Sequence, residues 1–167
     1  NAGILIERIE YCGSNSECDA ASAFNAYVGG GTLSSDNVVE LIEASVDPYE
    51  ILTCATSDPC HVVTAYTDWS NYDTLSGSIL NEMFNGGATV AEIMNCSTDI
   101  VDQCAVVNSF ESADDDDILD YDEILELLNA GILIERIEYC GSNSECDAAS
   151  AFNAYVGGGT LSSDNVV

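Results

Sequence analysis

One stretch of this sequence occurs twice. Residues 1–39 read NAGILIERIEYCGSNSECDAASAFNAYVGGGTLSSDNVV, and residues 129–167 read the same letter for letter, so the 167-residue chain has a period of 128. A repeat of this kind constrains the fold before any helix or strand is assigned, because each element must be compatible with a neighbour like itself.

A looser repeat lies inside each period, and the cysteines measure it. Cys18, Cys60, Cys104 and Cys146 are each followed six residues later by an aromatic: Phe24, Tyr66, Phe110 and Phe152. Nine residues after each aromatic stands Leu33, Leu75, Leu119 or Leu161. Eight further on, in the three complete units, come Leu41, Met83 and Leu127. Only the gap between neighbouring cysteines varies: six residues for Cys12/Cys18, Cys54/Cys60 and Cys140/Cys146, and eight for Cys96/Cys104. The units are read as 12–53, 54–95 and 96–139, with 1–11 the end of a truncated unit and 140–167 the start of the next period, identical to 12–39. Beginning and ending inside a unit reads as a window cut from a longer array.

Two or three short helices per unit are expected. The first follows the second cysteine, with Ala20, Ala21 and Phe24, then Val62, Val63 and Tyr66, then Val106, Val107 and Phe110 on one face at helical spacing. A connecting segment comes next, and it differs between units: glycine-rich at Gly29–Gly31, polar and aromatic from Thr67 to Thr74 with Trp69 and Tyr72, and acidic from Asp114 to Asp117. A framework that repeats around segments that do not is the pattern of surface loops on stacked units. The second helix opens at Ser34, a good N-cap, and carries Val38, Leu41 and Ile42. Its counterparts carry Leu80, Met83 and Phe84, then Ile124, Leu127 and Leu128. Gly131 followed by Ile132 fits a left-handed helix stop. A third helix leads to the next cysteine, with Pro48 near its first start. The expected fold is all-α, a solenoid-like tandem array of ~42-residue short-helix units stapled by disulfides.

Charge sets the partners. There are 30 acidic residues, two arginines (Arg8 and Arg136, the same repeat position) and no lysine, for a net charge of −28. Nucleic acid, which requires basic surface, is excluded as a partner, and cations are favoured. No apolar run approaches the ~20 residues that span a bilayer, so no membrane insertion is expected. Eight evenly placed cysteines with a single histidine, His61, indicate disulfides in an oxidising, extracellular setting rather than zinc. The short intervening turns pair Cys12 with Cys18, Cys54 with Cys60, Cys96 with Cys104, and Cys140 with Cys146.

Residues Phe110 to Leu128 resemble an EF-hand calcium loop with its exit helix. With Glu123 as the closing ligand, Asp114, Asp116 and Asp120 fall at the third, fifth and ninth positions and Leu119 at the apolar eighth. Ser112 stands at the first position and Asp117 at the sixth, where glycine is usual. The other units follow this pattern in outline only, as degenerate EF-hand-like units. The resemblance implies one calcium ion held by Asp114, Asp116, Asp120 and Glu123. A solvated acidic loop before a helix N-terminus is the alternative, since acid is favoured there in any case.

No nucleophile, base and orienting group recur together, so no enzyme is expected. Asn95-Cys96-Ser97 matches a glycosylation sequon, with an unusual middle residue. The reading that follows is a secreted or cell-surface structural repeat protein that self-associates into filaments, with divalent cations as partners. The alternative is an extracellular calcium-binding module of adhesive or buffering type.

Overall fold

The computed structural model describes residues 16–70, 75–96, 101–113 and 117–160. Among them the chain is all helical. Ten helices occur: α1 (Glu17–Tyr27), α2 (Ser35–Glu43), α3 (Pro48–Cys54), α4 (Pro59–Ser70), α5 (Gly77–Asn85), α6 (Val90–Cys96), α7 (Gln103–Ala113), α8 (Tyr121–Asn129), α9 (Ile134–Cys140) and α10 (Glu145–Tyr155). They form three triplets of a long, a middle and a short helix, with α10 opening a fourth.

Local chemistry sets the boundaries. Ser16, Ser34 and Ser144 cap α1, α2 and α10 by accepting a backbone N–H three residues on. Asp47 caps α3, and Pro48 occupies its first turn, where a missing N–H is harmless. The middle helices all end alike. Ser45, Gly87 and Gly131 adopt φ of +70°, +100° and +93°. The next residue then donates back into the helix: Val46 to Leu41, Ala88 to Met83, and Ile132 to Leu127, at 2.9–3.0 Å. This is the left-handed stop expected at Gly131, and it recurs in every triplet. The expected connecting segment at Thr67 starts later than its sequence implies. Helix α4 continues to Ser70 because Thr67 is buried, satisfied by the Val63 carbonyl, and Trp69 packs edge-on against Tyr66.

The apolar faces read from periodicity are the core. Val38, Leu41, Leu80, Met83, Ile124 and Leu127 are fully buried, as are Leu33 and Leu119 in the segments before the middle helices. Each such residue contributes about 1.5–3 kcal/mol of burial. Packing follows a rule. The middle helix of one triplet lies against the long helix of the next: α2 on α4, α5 on α7, α8 on α10. The short helix lies on the long helix of its own triplet (α3 on α1, α6 on α4, α9 on α7) and on the middle helix of the following one (α3 on α5, α6 on α8). Helices of seven to twelve residues are marginal alone, so these junctions are what keeps them folded.

Candidate functional site

The junction between triplets is the feature this chain builds most carefully. Start with the staples. Cys18 is bonded to Cys54, Cys60 to Cys96, and Cys104 to Cys140, each pair 36 residues apart with Cα atoms at 5.3 Å. This overturns the expected pairing of sequence-adjacent cysteines. The reason lies in how the short helix sits. At its start the Asp47 N–H donates to Glu17 at 3.1 Å, and at its end the Cys54 carbonyl accepts from Ser22 at 2.8 Å. Both ends of α3 are thus held to the first turns of α1, which carries Cys18. The same contacts recur as Leu133 N–H to Gln103 and Thr64 to the Cys96 carbonyl. The adjacent cysteine in sequence belongs to the next triplet.

The closed segments are therefore 18–54, 60–96 and 104–140. The variable stretch between neighbouring cysteines is a connector, not a closed loop. It also pairs with the preceding triplet: Leu33 bridges to Ser57 and Leu119 to Asn143 in parallel. Ser57 and Asn143 then hydrogen-bond the Ile51 and Ile137 carbonyls. Cys12 lies outside the described residues, and Cys146 is exposed and unbonded.

Side chains also cross the junctions. Tyr66 donates to the Val46 carbonyl at 3.2 Å. Burial pushes its phenol above the ordinary range, and the charges of Asp47, Glu17 and Glu82 add to the effect. His61 Nδ1 lies 2.7 Å from the Leu33 carbonyl, which can only accept, so Nδ1 carries the proton. Ser109 donates to the Gly77 carbonyl, and both carboxylate oxygens of Glu111 accept from Ser142 N–H at 3.1 Å. The single histidine is thus a junction strut, a role its sequence neighbours do not signal.

The calcium candidates divide. Asp114 and Asp116 lie outside the described residues. Asp120 is the N-cap of α8, and with Glu123 it forms a capping box: Asp120 accepts from Asp122 and Glu123 N–H, and Glu123 accepts from Asp120 N–H at 2.9 Å. Asp117, at the sixth loop position, has φ +54°, the left-handed conformation that glycine serves there. Among the described residues one group of ligand type converges: Cys18, Glu50 and Cys54. Its two sulfurs are bonded to each other and have no thiolate to offer a metal. The Glu50 carboxylate beside them, with Oε2 3.0 Å from Cys54 Sγ, is raised above its ordinary value by removal from water, then by the charges of Asp47 and Glu17.

Asn95 of the sequon is exposed on the last turn of α6, one residue before the disulfide-bonded Cys96, and Ser97 lies outside the described residues. No helix among the described residues is long and apolar enough to cross a membrane. No known protein family, no curated protein and no solved structure matches this chain.

Proposed function

We propose that this chain is a structural polymer element, an extracellular, solenoid-like repeat that extends end to end into a filament. One observation supports this above the others. Helices α1 and α10 have the same eleven residues, ECDAASAFNAY, but different surroundings. In α1 the Ala21 face is buried and Ala23 is exposed. In α10 the reverse holds: Ala149, the counterpart of Ala21, is exposed, and Ala151, the counterpart of Ala23, is buried. The interior helices bury both positions, through Val63 and Ala65 in α4 and Val107 and Ser109 in α7. Helix α1 packs on its own short helix, and α10 on the preceding middle helix. The same contact, a middle helix on the long helix of the next triplet, recurs at α2 on α4, α5 on α7 and α8 on α10. A contact of this head-to-tail kind does not close on itself, and it propagates as a filament.

The disulfides suit an oxidising, extracellular setting. The net charge of −28 opposes side-by-side collapse and draws divalent cations. Electron microscopy of the purified protein tests the proposal. Filaments one triplet wide support it, and discrete globular particles at every concentration reject it.

A second reading is favoured by Asp117. Its left-handed backbone at the sixth position is what an EF-hand-like loop requires. Calcium there would compete with the helix cap, because Glu123 must release Asp120 N–H to serve as a ligand. Titration calorimetry of the protein, beside its Asp116→Ala and Glu123→Gln variants, decides it. Heat lost in both variants supports a site, whereas equal heats in all three reduce calcium to diffuse counter-ion attraction.

A further inference from the structure

The first junction differs from the second. Between α2, α4 and α5 it leaves an open groove of about 440 Å³. Its aromatic wall is Tyr66 and Trp69, its floor includes Ile79, and three carboxylates surround it: Glu43, Asp47 and Glu82. At the next junction Phe84 and Phe110 stand at the places of Ile42 and Tyr66, ring centroids 5.3 Å apart, and Ala113 takes the place of Trp69. Trp69 is the single tryptophan of the chain, so this groove falls once per 128-residue period. It is 42% exposed, a large apolar surface beside three acids that face no cation among the described residues.

The chain has one feature of the opposite character. Arg136 is the only arginine among the described residues; Arg8, its copy one period earlier, lies outside them. Arg136 is exposed and makes no ion pair among the described residues. At ~100° per residue, Tyr139 lies about 60° to one side of Arg136 on α9 and the N-cap Leu133 about 60° to the other, with Glu135 and Glu138 further round on the Tyr139 side. Leu133 is 54% and Tyr139 83% exposed. A guanidinium flanked by an exposed leucine and an exposed tyrosine is thus displayed on one stripe. In a chain of net charge −28, this is the one arginine displayed among the described residues.

We propose that the groove at Trp69 receives the Leu133–Arg136–Tyr139 stripe of a second copy of this chain. The complementarity has three parts. The guanidinium meets Glu43, Asp47 and Glu82, with the face of Trp69 available for cation–π contact. Leu133 and Tyr139 cover apolar surface that water now touches. The counts agree as well, one groove and one arginine per period, so every groove in an array has a matching stripe. The contact is made between two copies and uses residues other than Ala23 and Ala149 of the end-to-end junction.

The single tryptophan makes the test direct. Emission of the full 167-residue chain is followed against its own concentration at physiological salt, beside the sedimentation profile. The expected result is a blue shift of Trp69 emission that grows with concentration. In the Arg8→Gln/Arg136→Gln variant the association should weaken by roughly tenfold or more. Arg136 is exposed, and circular dichroism of the variant checks that the fold is retained. Charge reversal of both sides, Arg8→Glu/Arg136→Glu with Glu43→Lys/Glu82→Lys, should restore the shift. Emission that does not change with concentration overturns the proposal, as does a shift that persists undiminished in the arginine variant. If a separate arginine-rich peptide shifts the emission while the chain alone does not, the groove takes basic peptides and the self-contact is wrong.

Discussion

Ala23 is exposed while Ala151, its counterpart in an identical helix, is completely buried. One sequence thus meets two environments among the described residues, and at Ala151 the middle helix α8 packs on its helix. Glutamate at the exposed position should be tolerated within ~0.5 kcal/mol in Ala23→Glu. Ala65→Glu, at the equivalent buried position of α4, should destabilise by several kcal/mol, because it buries an unpaired carboxylate. Chemical denaturation of the two variants measures both. Equal costs would mean that the junction does not bury this position.

Ser45 occupies a left-handed position, φ +70°, that the other two triplets fill with Gly87 and Gly131. Ser45→Gly should therefore raise stability by about 1 kcal/mol through relief of backbone strain. The reciprocal change, Gly131→Ser, should lower it by a similar amount. Thermal unfolding of both variants checks the pair.

Each disulfide closes a loop with a sequence separation of 36 residues. By chain entropy such a loop stabilises by about 4 kcal/mol, against ~2 kcal/mol for the short loops that adjacent cysteines would close. Replacing Cys60 and Cys96 together with serine should show the larger loss. Non-reducing peptide mapping should recover the peptides of Cys18 and Cys54 joined, and not those of Cys54 and Cys60.

Glu50 should make the protein more stable in mild acid. Its carboxyl is raised above the ordinary value of 4.5, so the folded chain binds a proton more readily than the unfolded chain. The penalty of keeping it charged is therefore full at neutral pH. It fades as pH falls through the raised folded value and is gone below 4.5. Glu50→Gln should exceed the wild type in midpoint at pH 7, and the gap should close on acidification. A gap that is constant with pH would assign the effect to packing.

Much of the helical plan was legible because it rests on local chemistry. Leu41, Met83 and Leu127 sit at one repeat position, and periodicity alone marks their burial. Gly131 announces its own helix stop, and Pro48 its helix start. The cysteine partners were not legible. Cys54 and Cys60 are close in sequence, but partner choice follows the docking of α3 on α1, which depends on Glu17, Ser22 and Asp47 converging in three dimensions. The calcium reading met a related ambiguity. Asp120 and Glu123 have the spacing of two loop ligands and equally of a capping box, and here they make the box. The groove at Trp69 is hidden for a third reason: the polar stretch from Thr67 reads as a connector, whereas α4 carries Trp69 against Tyr66.

Small-angle X-ray scattering of proteins with one, two and four 128-residue periods tests the central claim most directly. If identical junctions add end to end, the maximum dimension should grow in proportion to the number of periods while the cross-sectional radius stays constant. A maximum dimension that grows only as the cube root of mass, with a widening cross-section, would mean that the periods collapse into a globule and would contradict the filament account.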